Sequence, residues 1–274
     1  MKYSLWIFYT YKRDKGYTRN TKMITDTNIY KYCSYDIGEI IISSQLIRFN
    51  NYKSFNDPFD CDINLLHFDL NENCEQEIQD ELKKIEIETM KNSGISEKLY
   101  FEIVTKNEIE DILKRSQLKK LEESSISCFS KNYDNTCMWS HYGNNHDGIC
   151  LVFNLTSFES PFEDIQTSEI TQGPINYDKY ERVNYFESRI KGITNLYLTK
   201  SNYWKYEEEY RYIVSRKPGF YKFKKEFLKG IIFGLKVTED KIENFKDKCI
   251  FHFGNNLKFR RFYKNNLSVE LKEI

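Results

Sequence analysis

Two short apolar runs, Ile126-Ser127-Cys128-Phe129 and Ile149-Cys150-Leu151-Val152-Phe153, flank a polar stretch whose capping residues bracket one or two helical turns. Such runs, bounded by polar turns, read as strands near the centre of a sheet. Between them, Asn132-Tyr133-Asp134-Asn135 offers helix N-caps and Gly143 a C-cap, with Trp139 inside. His146-Asp147-Gly148 then turns the chain into the second run. The segment 125–153 therefore predicts strand, loop, short helix, turn, strand. A sheet must form around it, with polar side chains gathered over the loops.

The flanking sequence extends this picture. Residues 29–32 and 46–49 read as strands, with a helical turn or two over 37–43. Asn56-Asp57-Pro58 is a strong turn signal anchored by Phe55 and Phe59, so Asn56, Asp57 and Asp60 are read as shaping a loop, with ligand binding as the alternative. Helical spacing runs through 71–123, in Ile78, Leu82 and Ile85 and again in Ile109, Ile112, Leu113, Leu118 and Leu121. After an irregular stretch over 155–184, a helix is expected in 185–200 and a strand in 204–214. A buried strand follows at 230–234, a helix at 238–248, and last strands at 249–253 and 257–263. The chain has no alanine, while 21 Tyr and 20 Phe supply much of its apolar area, which favours sheet. The expected fold is α+β, a mixed sheet core with an inserted helical segment. Residues 1–26 are read as an appendage and 27–274 as a single α+β domain, with 70–124 as the helical insertion.

Lysine plus arginine equal aspartate plus glutamate at 41 each, which argues against general electrostatic attachment to nucleic acid or membrane. The balance is uneven along the chain: 68–124 is acid-rich and 215–264 base-rich. The seven cysteines have no framework spacing, and several sit in apolar runs, as expected of reduced thiols in a cytoplasmic protein. Residues 3–11 are aromatic but short and lack a small-residue cleavage site, so neither a signal peptide nor a membrane span is expected.

Candidate site residues cluster in two places. Read as a strand, Trp204-Lys205-Tyr206-Glu207-Glu208-Glu209-Tyr210-Arg211 puts Glu207, Glu209 and Arg211 on one face, roughly 7 Å apart in succession. Two carboxylates beside an arginine can divide the work: one binds a hydroxyl while the other, kept ionised by the arginine, stabilises developing positive charge. The plainer alternative is an exposed strand with ordinary ion pairs. His141 lies four residues after Cys137 and near Trp139. Neither CxxC nor HExxH occurs, so no metal site is expected. Phosphate-cradling glycine loops and the nucleophile elbow are also absent.

Taken together, Tyr30-Lys31-Tyr32, the 46–49 run, Phe55-Asn56-Asp57-Pro58-Phe59-Asp60, Ile126 to Ser130, Met138-Trp139-Ser140-His141-Tyr142, the 148–153 run and the 204–211 segment resemble an uncharacterised bacterial family, domain of unknown function 2971. The likeness spans about 29–253 in matching order. It implies no activity, but a setting among mobile or phage-defence genes. More distantly, Lys31, Ser125-Ile126-Ser127 and Glu207-Glu208-Glu209 follow the order of elements in one class of ADP-ribosyltransferases, with lysine where arginine or histidine is usual. That likeness implies NAD as substrate, and a protein or nucleic acid as acceptor. Glu209 would stabilise an oxocarbenium-like transition state, Glu207 would orient the acceptor, and His141 would join them as a catalytic group. Lys31, Ser125, Ser127, Tyr142 and Arg211 would hold the nucleotide. The competing expectation is a non-catalytic binding or regulatory protein of a defence locus, using its aromatic and basic C-terminal third.

Overall fold

The computed structural model describes residues 27–69, 106–155, 159–178, 180–186, 189–266 and 268–274. The expected appendage (1–26) and most of the expected helical insertion (70–105) lie outside the described residues.

The strands expected at the centre are there, and the chain is α+β. A mixed eight-stranded sheet is built from β1 (Thr27–Ser34), β4 (Ser125–Ser130), β5 (Gly148–Leu155), β6 (Ile170–Pro174), β8 (Glu209–Val214), β10 (Leu228–Phe233), β11 (Lys258–Asn265) and β12 (Ser268–Glu273). Their order is β12-β11-β10-β5-β1-β4-β8-β6. All neighbours are antiparallel except β10 and β11. Two small pairs stand apart: β2 (Leu46–Phe49) with β9 (Gly219–Lys222), and β3 (Leu66–His67) with β7 (Val183–Asn184). The helices are α1 (Tyr35–Ser44), α2 (Lys106–Glu122), α3 (Thr136–His141), α4 (Arg189–Leu198) and α5 (Glu239–Phe253).

The central stretch forms as its sequence dictates. The Asn135 side chain accepts from the amides of Cys137 and Met138, capping α3. Gly143 packs so close to Trp139 that a Cβ would lie 2.8 Å from the Trp139 carbonyl oxygen. Asn144, Asn145 and His146 then take positive φ and return the chain to β5. The strands β4 and β5 do not touch; β1 runs between them, zipped to β5 over its whole length from Thr27↔Leu155 to Ser34↔Gly148. Against β4 it pairs only at Tyr30↔Ser130. Beyond that point the strands part, and Lys31 spans the gap, donating to the Cys128 carbonyl at 2.8 Å and to Ser127 Oγ at 3.3 Å.

The two faces of the sheet carry separate cores. One holds Ile29, Phe129, Leu151, Phe153, Tyr210, Tyr212 and Val214 under α1 and α5. On the other, Ile126 and Ile213 pack with Leu113, Leu121, Leu196 and Leu198 of α2 and α4, while Tyr32, Cys150, Val152 and Ile232 pack beneath Met138 and Trp139 of α3.

Two expectations are corrected. Residues 249–253 are the last turns of α5 and not a strand, because Ile242, Phe245 and Cys249 bury one continuous helical stripe and Gly254, at φ 73°, ends it. The strand expected over 204–214 begins only at Glu209. Asn202–Glu207 is a 3-10 turn, closed by Glu208 in the left-handed region at φ 43°. Within the stretch read as irregular, β6 and β7 add to the sheets. In the described part of the helical insertion, α2 bears out the helical spacing.

Candidate functional site

Five charged side chains meet on the face that carries α2, α3 and α4, and none is more than 5% exposed: Asp60, Lys200, Glu207, Glu209 and Arg211. Glu209 and Arg211 project from alternate positions of β8, beside Ile213 and away from Tyr210 and Tyr212. Glu207 reaches the same place by another route, from the end of the 3-10 turn. That turn is held by the central stretch: Ser130 Oγ donates to the Glu207 carbonyl at 2.7 Å, the Lys131 amide to the Glu208 carbonyl at 2.8 Å, and Asn135 Nδ2 to the Tyr206 carbonyl at 2.8 Å.

Asp60 is delivered by the Asn-Asp-Pro loop. Asp57 Oδ1 accepts from the Phe59 amide, the Asp60 amide donates back to the Asp57 carbonyl, and Cys61 turns away at φ 54°. The Asp60 carboxylate then takes a bidentate bond from Arg211, 2.8 Å from Nη1 and 2.5 Å from Nη2. Arg211 Nε donates to Glu209 Oε1 at 2.7 Å, and Nη1 also to the Tyr197 carbonyl at 2.9 Å. Lys200 follows α4 and binds Glu207 Oε2 at 2.5 Å and Glu209 Oε2 at 3.4 Å, with Asp60 Oδ2 at 3.8 Å. The Trp204 ring lies over its ammonium at 4.6 Å. Three carboxylates thus face two cations, one negative charge in excess when all are ionised.

The two glutamates respond in opposite directions. Burial works to raise the Glu209 carboxyl, but Arg211 and Lys200 outweigh it and hold the group at about 2. For Glu207, burial prevails over Lys200, the charge of Glu209 adds to it, and the carboxyl is raised. Burial works to lower the Lys200 ammonium, and Glu209 and Glu207 overcome it to raise it. Glu207 is also bonded to a residue outside the charged group. The half-buried Tyr142 donates to Glu207 Oε1 at 2.7 Å and accepts from Asn56 Nδ2 at 3.0 Å. Beside it His141 is exposed, with Nδ1 3.3 Å from the Tyr206 hydroxyl.

Of the residues singled out in the sequence, Glu207, Glu209, Arg211 and Tyr142 come together, with His141 on their outer rim. Lys31, Ser125 and Ser127 do not join them. Lys31 and Ser127 alternate with residues of the opposite core, and the Lys31 ammonium lies 4.9 Å from the Phe129 ring. Burial lowers the Lys31 pKa. The Ser125 hydroxyl is buried with no hydrogen-bond partner among the described residues. The network also contains two residues the sequence did not single out for chemistry. Asp60, read as shaping its loop with ligand binding as the alternative, is an ion-pair partner of Arg211, and Lys200, which belongs to no motif, is a partner of Glu207. The available signals were an acid set between Phe59 and Cys61 in an anchored loop, and a lysine directly after the apolar end of a helix.

Among the described residues no group of three His, Cys, Asp or Glu could hold a metal ion, and no helix is long and apolar enough to cross a membrane. No curated protein and no solved structure matches the chain. Residues 138–212 match a family model described as a protein of unknown function, DUF2971. The resemblance drawn from Met138–Tyr142 and the 204–211 segment agrees with this match, and His141, Tyr142, Lys200, Glu207, Glu209 and Arg211 all lie within the matched residues.

Proposed function

We propose that the chain is an enzyme acting on a nucleotide, with NAD as substrate, in a phage-defence or abortive-infection setting. The observation that carries the reading is the buried pair Glu207 and Glu209 sharing Lys200, with Arg211 bonded to Glu209 alone, so that burial raises one carboxyl while the arginine holds the other down. Environments that push two carboxyls apart assign one to proton transfer and keep the other ionised. In the proposed reaction the bond between ribose and nicotinamide breaks, and its electron pair goes to the ring nitrogen. Glu209, ionised at any physiological pH, stabilises the positive charge left on the ribose. Water or an acceptor hydroxyl supplies the electron pair of the new bond, and its proton passes to Glu207. Tyr142 covers Glu207 and has to turn aside to admit the ribose. His141, Tyr206 and Trp204 supply aromatic surface at the entrance. Lys31, Ser125 and Ser127 have no part in this scheme, since they belong to the other face of the sheet. The defence setting rests on the family resemblance.

A second reading, a non-catalytic binding or regulatory protein of a defence locus, is favoured by one feature: each charged group of the network already touches a partner of opposite sign within it. Nicotinamide release from NAD separates the two. The enzyme reading expects release by the wild-type protein and a loss of about a hundredfold in Glu209→Gln at matched folded concentration. No release, with no shift of the thermal melt by NAD, would leave the binding-protein reading in place.

A further inference from the structure

The two edges of the large sheet are built differently. At one end β6 closes with Pro174, which has no amide to offer a further strand. At the other, β12 is the last strand, and among the described residues nothing pairs with its outer side. The Ile274 amide donates to the Phe259 carbonyl at 3.1 Å, which continues the register Arg260↔Glu273, Phe262↔Leu271 and Lys264↔Val269. Backbone groups alternate in direction along an antiparallel strand. Ser268, Glu270 and Lys272 therefore turn their amides and carbonyls inward to β11, while Val269, Leu271 and Glu273 turn theirs to the open edge.

We infer that this edge is the seam of a homodimer, in which β12 pairs antiparallel with β12 of a second copy about a two-fold axis at Leu271. Three registers bring two or more pairs of these outward-facing residues into hydrogen-bonded opposition, and charge chooses among them. A two-fold at Glu270 sets Glu270 against Glu270, and one at Lys272 sets Lys272 against Lys272. These like-charge pairs fall at the close, non-hydrogen-bonded positions. A two-fold at Leu271 sets Glu270 opposite Lys272 twice, and opposite charges at directly facing positions stabilise the pairing. The same register joins Leu271 to Leu271 by paired backbone bonds and brings Val269, 53% exposed in the single chain, against the neighbouring strand. Leu271 and Ile274 are already seated against the cores of the two faces, so the edge is held ready on a fixed sheet. The two eight-stranded sheets would then run on as one. This inference is independent of the reaction proposed above.

The test is sedimentation equilibrium of the full chain and of charge reversals at the edge. The wild type is expected to dimerise, and Glu270→Lys and Lys272→Glu alone are each expected to weaken association by about tenfold or more, because each creates two like-charge pairs across the axis. Mixing the two variants is expected to restore the affinity as a heterodimer, since each lysine then meets a glutamate. The double reversal on one chain is expected to restore the homodimer. An intrachain effect of the Glu270–Lys272 pair, 3.1 Å apart along the strand, predicts no recovery on mixing. A wild type that stays monomeric at high micromolar concentration would overturn the inference. So would a dimer whose affinity ignores the reversals, or an edge found occupied by another segment of the same chain.

Discussion

Replacing Lys200 by methionine tests the buried network directly. Methionine keeps the volume and apolar stem while removing the ammonium that contacts Glu207 at 2.5 Å, Glu209 at 3.4 Å and Asp60 at 3.8 Å. Arg211 alone would then face three carboxylates, and the excess negative charge would rise from one to two. Removing one partner of a buried ion pair costs about 3–5 kcal/mol, because the remaining charge stays desolvated. The Lys200 side chain is 4% exposed, so solvent screening gives little relief. The loss should depend on pH in a definite sense. Glu207 is already raised by burial, and without Lys200 it rises further. A carboxyl raised in the folded state contributes stability that is present at low pH and lost as the pH climbs through its folded value. The deficit of Lys200→Met should therefore widen from acid to neutral pH. The double variant Lys200→Met/Glu207→Gln returns the excess charge to one and should recover most of the loss. Urea denaturation of the four proteins of this cycle, at mildly acid and neutral pH, measures both effects. A cost under about 1 kcal/mol at pH 7, the range of exposed ion pairs, would refute the reasoning, as would simple additivity of the two substitutions.

Two further outcomes are expected. Glu209 is depressed to about 2, so its stabilisation is present above the ordinary value of 4.5 and is lost as pH falls toward 2. Glu209→Gln should flatten the fall in melting temperature over that interval, and an unchanged acid limb would argue against the Arg211–Glu209 pair. Among the described cysteines, Cys137 is exposed, while Cys33, Cys61, Cys150 and Cys249 are buried and burial pushes Cys33 and Cys249 up to about 12. In a Cys74→Ser background, which removes the one cysteine outside the described residues, Cys137→Ser should abolish one equivalent of rapid thiol labelling; an unchanged rapid phase would contradict that exposure.

The sheet was legible because its centre is written in local pattern. The runs 126–129, 149–153 and 210–214 alternate or stay apolar over strand lengths, and no competing period interrupts them. The pattern failed where it was ambiguous. Cys249 to Phe253 suits a strand or the end of a helix equally well, and only the stripe through Ile242 and Phe245 decides between them. The break at Glu208 had no local signal. Glutamate is not a habitual left-handed residue, and its conformation is fixed by bonds from Ser130, Lys131 and Asn132, far away in sequence.

The same reason explains why the burial of the charge run was not legible in the sequence. Its alternation placed Glu209 and Arg211 on one face correctly, but burial of that face depends on α4 and the Asn-Asp-Pro loop. Asp60 lies 151 positions from the arginine it binds. A buried cluster of charges is not a cheap source of stability; apolar packing of the same volume often does as well or better. Its persistence in a core needs another cause, and the network divides into two parts with different ones. The Asp60–Arg211 pair is sealed and bidentate, and it locks a loop whose next residue, Cys61, has positive φ; that suffices as a reason for its presence. Glu207 locks nothing comparable. Its carboxyl is raised by burial, and it is bonded to one half-buried phenol, that of Tyr142. A carboxyl in that position is the part of the network that structure alone does not require, and it is there that chemistry should be sought.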